Sequence, residues 1–343
     1  MRSKTALGLS GLSLLLLLSG CATVTSKIAK PIPSIPKVIE YNALSGREGI
    51  NGPVLVVKID DTNSAHPQIG LEDADVVYIE QVEGGLTRLA AVFSSVIPMR
   101  IGPVRSARIS DIEIMSQYGR VAFAYSGAQR KLLPVIAAAN VVNLGAQSQS
   151  PTIYTTDPTR NQPHAMVLRA DLLMQRVLEE EYDVDSAKSV GWKFGVTDSI
   201  GVPISRAVIR WPSAQYGVIW SSVENRWLLE HNNEPNLADT GRQLGATTFV
   251  IQITSITPSI YGDKFGGTTP LSRSVGSGTG YILRNGKSFT ATWSRASDEV
   301  GTTWKALDGS EITFAPGQIW VALTDTEPDL TLIPASAKPA PTK

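Results

Sequence analysis

The apolar residues of this chain come in short runs closed by turn formers, and that spacing restricts it to strands and short helices. Val54 to Ile59 is apolar except for Lys58, and Val76 to Val82, Leu89 to Val96 and Val121 to Tyr125 are further runs of the same kind. Runs of this length between Gly, Pro, Asn or Asp have the form of buried strands. The 29 glycines and 21 prolines supply the breaks and argue against a helical bundle. Helical spacing predicts three helices among these runs. The first is capped by Ser106 and runs to about Tyr118, with Ile109, Ile112 and Met115 on one face. The second covers Ala128 to Ala139, its start delayed by Pro134, and the third Arg169 to Glu180.

After Gly191 the pattern becomes one of short alternating segments, including Ala207 to Trp211, Tyr216 to Trp220, Thr247 to Ile253 and Ser288 to Trp293. Asn285-Gly286 is a type I′ hairpin signal. The expected fold class is therefore α+β: a mixed α/β domain over residues 53–190, then a smaller, mainly antiparallel β domain over 200–327. Six of the seven tryptophans lie between Trp211 and Trp320. They are expected to pack in the β domain, the alternative being a stacking platform for a sugar ring. Gly276 to Gly280 has no P-loop lysine and is expected to be a flexible loop.

The N-terminus reads as an address. Arg2 and Lys4 precede an apolar stretch from Ala6 to Leu18 that is too short to span a bilayer comfortably, and Leu18-Ser19-Gly20-Cys21 has the form of a lipobox. Residues 1–20 are expected to be a signal peptide and Cys21 the acylated mature N-terminus, which places the chain on the outer face of the cytoplasmic membrane. Residues 21–52, with Pro31, Pro33 and Pro36, are expected to be a flexible tether, and 335–343 a disordered tail. One cysteine excludes an intramolecular disulfide framework and a cysteine zinc cluster. With 31 basic and 31 acidic side chains, the chain is no general binder of nucleic acid.

The polar residues that could carry chemistry follow the apolar runs, where sheets present ligand groups. Asp60, Asp61 and Asn63 close the first, Glu80 and Glu83 the second, and Arg88, Arg105, Ser106 and Arg108 come soon after. The arginine forks match carboxylate or phosphate, so Arg88, Arg105, Arg108, Ser106 and Asn63 are candidate ligand binders beside a helix N-terminus. The competing reading is a structural pair between Glu83 and one arginine. Glu80, Glu83, Asp60 and His164 are candidate acids or bases. Ser126 stands at a strand-to-helix turn but lacks the glycine frame of a nucleophile elbow. His66 and His231 show no ligand spacing, and neither a metal nor a cofactor is expected.

Several segments together resemble the YerB-like family of bacterial lipoproteins, a family without an established activity. They are Pro67-Gln68-Ile69-Gly70-Leu71, Glu83-Gly84-Gly85 with Thr87-Arg88, Ile101 to Arg108, Pro163-His164, Ala291-Thr292-Trp293-Ser294 and Pro316-Gly317-Gln318 with Trp320. The family pattern has Asn after the histidine, whereas Ala165 follows His164 here. The resemblance implies an exported two-part lipoprotein and supplies no substrate. Three functions compete: a lipoprotein binding an anionic envelope glycan or polymer through the arginines, a cell-wall glycan hydrolase or transglycosylase using paired carboxylates, and a scaffold for envelope enzymes.

Overall fold

The computed structural model describes residues 39–197, 200–262 and 266–333; Cys21, the signal peptide and the 335–343 tail lie outside them. The strands that matter for the site are β1 (Leu55–Asp60), β2 (Val76–Gln81), β3 (Thr87–Phe93), β4 (Val121–Ala124), β5 (Val141–Asn143), β6 (Val202–Trp211), β7 (Ala214–Ser221), β8 (Arg226–His231), β9 (Thr248–Ile253), β10 (Gly276–Arg284), β11 (Lys287–Arg295) and β12 (Ile319–Thr324). They join one sheet in the order β8-β7-β6-β11-β10-β9-β12-β2-β3-β1-β4-β5. Three short helices accompany it: α1 (Ser110–Ser116), α2 (Leu133–Ala138) and α3 (Ala170–Glu179).

The chain is mostly β, with little helix, which corrects the expected weight of the N-terminal α/β part. It also joins the two sequence halves. β12, near the C-terminal end, pairs parallel with β2 on one side and with β9 on the other. The change of periodicity after Gly191 thus marks a change of strand pattern, and the residues from Ile39 onward form one compact unit. β1 and β12 are buried along their whole length, as strands covered on both faces must be. One face packs Val56, Tyr78 and Val92 against Ile114, Met115 and Tyr118 of α1 and the turn after it. The other packs Val77, Ile79 and Leu89 against Leu173 and Val177 of α3 and against β6 to β8. Trp211 Nε1 donates to the Leu323 carbonyl at 2.9 Å and helps hold that second layer.

Two local expectations change. The tether ends before Gly52: Leu44, Asn42 and Ser45 are buried, and Ser45 Oγ donates to Asp75 at 2.7 Å. Leu44 has apolar surface to bury, which the proline spacing upstream does not reveal. Gly276 to Gly280 is a paired part of β10, in register with Ala291 to Arg295. Its glycines make room, since a Cβ on Gly280 would lie 2.3 Å from the Ile251 carbonyl and one on Gly278 would meet the Trp293 ring. The Asn285-Gly286 turn forms as its sequence predicts, with positive φ at both residues. Trp211, Trp227, Trp293, Trp304 and Trp320 are all buried, as indoles that pack a core are, and Trp220 is half-buried beside Trp227.

Candidate functional site

Antiparallel pairing places Arg88 of β3 opposite Asp60 of β1 and opposite Glu80 of β2. Side chains directly opposite each other stand on the same face of a sheet. Both carboxylates nevertheless pair elsewhere. Asp60 takes Arg105, with Nε 2.9 Å from Oδ2, and His164, with Nδ1 2.7 Å from the same oxygen. Glu80 bonds Lys58, whose ammonium also reaches Asp111 at 2.8 Å. Arg88 is left 8% exposed, with one hydrogen bond from Nη1 to the Ser106 carbonyl at 2.8 Å. Among the described residues no carboxylate lies within ion-pair distance of it.

The guanidinium of Arg88 lines a cleft of about 730 Å³ together with Arg105, Arg108, Arg130, Thr62 and Tyr261. Arg108 is forked onto Glu83, with Nε at 2.9 Å and Nη2 at 2.6 Å from Oε2, while Thr269 donates to the other oxygen. Four guanidinium groups therefore face two carboxylates, Asp60 and Glu83. Burial pushes Arg88 down, to about 9, with Arg108 and Arg105 adding to the effect against Asp60 and Glu83; it stays protonated at neutral pH. Burial pushes the Glu83 carboxyl up, but the Arg108 and Thr269 bonds outweigh it and hold the group below its ordinary range.

The structure thus assembles Glu83, Arg88, Arg105, Ser106 and Arg108 around one cleft and sets Asp60 and His164 beside it through Thr62. It does not bring Glu80 or Asn63 there. Glu80 is fully buried in the Lys58 trio, its carboxyl pushed up to about 7 by burial and then by Asp111, with Lys58 opposing. Asn63 turns the other way and accepts from Asn232 Nδ2 at 2.7 Å. Nor does Ser106 cap a helix. The segment Arg105 to Ala107 is not helical, held by Arg105 N donating to the Lys58 carbonyl and Ala107 N to the Gly127 carbonyl, and α1 begins only at Ser110. The anion-binding reading accordingly rests on guanidinium groups and not on a helix terminus.

His164 sits on a loop fastened by Arg160, which pairs with Asp157 at 3.2 Å and donates to the Ala65 carbonyl at 2.7 Å. Asp60 and Thr62 both meet the same ring nitrogen, Nδ1. A serine-type triad needs nucleophile and acid on opposite ring nitrogens, so these three residues do not form one. Ser126 Oγ lies 3.4 Å from Ser106 Oγ and has no histidine partner.

On the opposite side of the sheet from Asp60, as strand alternation requires, Asp61 meets the two histidines that look isolated in the sequence. His66 Nε2 is 3.5 Å and His231 Nε2 3.8 Å from its carboxylate oxygens, and the two rings stack at 4.4 Å. Tyr216 OH and Thr87 Oγ1 also donate to Asp61, at 2.7 and 2.6 Å. The sheet closure that brings His231 back to Asp61 leaves no mark in local spacing.

Residues 44–183 match the family model described as "Protein of unknown function (DUF3048) N-terminal domain", and residues 207–321 match its C-terminal counterpart. The chain belongs to the YerB-like DUF3048 family. A Bacillus subtilis (strain 168) protein of similar sequence, named "Putative lipoprotein YerB", is 24% identical over 291 residues, covering 81% of this chain and 82% of YerB. The crystal structure of YerB shares the fold with a TM-score of 0.71 at 18% identity, covering 85% of this chain and 99% of the YerB chain in that structure. Family membership brings no activity with it, so function has to be argued from the cleft.

Proposed function

We propose that this chain is an exported envelope lipoprotein, held on the outer face of the cytoplasmic membrane through acylated Cys21, whose arginine cleft binds an anionic glycan or cell-wall polymer. The observation that carries the binding reading is Arg88. A guanidinium this buried loses several kcal/mol of hydration, and no carboxylate pairs with it to offset the loss. A phosphate or carboxylate in the cleft would offset it, in two-point geometry with Arg88 and its exposed neighbour Arg130. The volume falls in the range of small-ligand sites, about 300 to 1,000 Å³. The hydrolase reading is weaker on the same geometry. Glu83 is locked to Arg108 and held deprotonated, and Glu80 lies in the core, so among the described residues the cleft lacks a carboxylic acid ready to protonate a leaving group.

Replacing Arg88 by Met should weaken binding of purified anionic wall polymer by about tenfold or more, and leave the urea midpoint unchanged or raised, because a buried unpaired charge has been removed. Binding by the parent should also weaken as salt rises. If the parent binds no anionic polymer and Arg88→Met unfolds early, the arginines are architecture and the proposal fails.

The anchor is supported by the order of charged, apolar and small residues ending at Cys21, and by the lipoprotein name that the Bacillus relative carries. Cys21→Ala should move the protein from the membrane fraction to the soluble exported fraction. Equal membrane partitioning of variant and parent would refute the anchor.

A further inference from the structure

The cleft accounts for Asp60 but not for Asp61. Asp61, His66 and His231 come from the end of β1, the loop after it and the end of β8, and their ligand atoms all lie within 4.8 Å of one another. We propose that these three side chains form a binding site for a divalent transition metal of the zinc class, joining the two sequence halves of the fold.

Geometry supports this first. Bonds of about 2.0 to 2.2 Å in a tetrahedron set neighbouring ligand atoms about 3.3 to 3.6 Å apart. His66 Nε2 lies 3.5 Å from one Asp61 oxygen and His231 Nε2 3.8 Å from the other, and one ligand atom from each residue can be chosen so that all lie within 4.8 Å, so a contraction of about 1 Å would bring the set to that spacing. Two imidazoles and one carboxylate are also a donor set that suits borderline metals better than calcium or magnesium.

Unmet hydrogen-bonding capacity points the same way. His231 is 5% exposed, and its Nε2, aimed at the Asp61 carboxylate, has no hydrogen-bond partner. A buried ring nitrogen left in this state has lost its bond to water without a replacement, and a metal ion would use its lone pair. Gln68, whose Nε2 is 3.3 Å from His66 Nε2, has a buried Oε1 that is also unpartnered. The same Gln68 Nε2 donates to Asp61 Oδ1 at 3.1 Å and so ties this amide to the site.

The surroundings are those of a metal site. His66 Nδ1 meets Asn236 Oδ1 at 3.0 Å, which places the proton on Nδ1 and leaves Nε2 as the lone-pair nitrogen. Thr87 and Tyr216 hold the carboxylate in place. His66, 16% exposed in its side chain, gives the site an opening to solvent.

The test uses the full chain carrying Cys21→Ala, so that no thiol competes, after dialysis against a chelator. Titration with Zn²⁺ by calorimetry should show one saturable site per chain, and Zn²⁺ should raise the thermal midpoint. Co²⁺ at the same site should give visible absorption. His66→Gln, the more exposed ligand and so the more tolerant position, should weaken Zn²⁺ binding by about tenfold or more and abolish the Co²⁺ bands. Asp61→Asn should do the same provided circular dichroism shows it folded. Absence of one-to-one uptake by the parent, or unchanged affinity and Co²⁺ spectrum in a folded His66→Gln, would overturn the proposal. The three residues would then be a proton-sharing cluster.

Discussion

Lys58→Met should cost the fold about 3 to 5 kcal/mol at pH 8, because it leaves Glu80 and Asp111 without their shared ammonium in the interior. All three side chains are fully buried. Burial, and after it the second carboxylate of the trio, Asp111, raise Glu80 to about 7 from the ordinary 4.5 against the pull of Lys58. A carboxyl raised on folding holds its proton more tightly in the folded chain. The stabilisation this gives is complete below about 4.5 and is lost as pH rises through about 7. Urea unfolding of the parent should therefore show stability falling over that window, and Glu80→Gln should remove this part of the slope. In the Lys58→Met background, Glu80→Gln should recover part of the deficit. A Lys58→Met protein as stable as the parent at pH 8 would show that the trio is not the buried charge group described. The trio also bears on the cleft, since Asp111 accepts the backbone N–H of Arg108 at 2.6 Å and so fixes the strap from which that guanidinium projects.

Trp320→Ala should cost about 3 to 5 kcal/mol and should loosen both sequence halves together. The indole is fully buried in β12, its Nε1 donates to Gln318 Oε1 at 3.0 Å, and its ring lies 6.2 Å from that of Tyr216. β12 is hydrogen-bonded to β2 from the first half and β9 from the second. Amide exchange should therefore accelerate in β1 to β3 and in β6 to β9 in the same variant. Faster exchange confined to one half would show that the halves fold independently.

Much of the strand pattern is legible in the sequence, because a half-buried or fully buried strand has to carry its apolar residues in a recognisable order. The cleft is legible for a related reason: Glu83, Arg88, Arg105 and Arg108 are too many charges for the ends of buried runs to carry without partners or a ligand. Glu80 belongs to the core and not to the cleft, and a signal for this exists. A lysine inside an apolar strand, as Lys58 is, requires a buried carboxylate, and Glu80 and Asp111 are the ones it finds. The helix start at Ser110 is not legible, because the non-helical course of Arg105 to Ala107 is set by hydrogen bonds to residues 58 and 127. The approach of His231 to Asp61 is hidden for the same reason, since it depends on which strands become neighbours after the sheet has closed.

β12, the strand that joins β2 to β9, comes after both of them in the sequence, and until it is made their facing edges lack this partner. Contacts of such long sequence separation form late and slowly. A growing chain therefore has no complete sheet to fall into while it is still emerging. The order of the strands thus postpones completion of the sheet until β12 pairs with both of its neighbours.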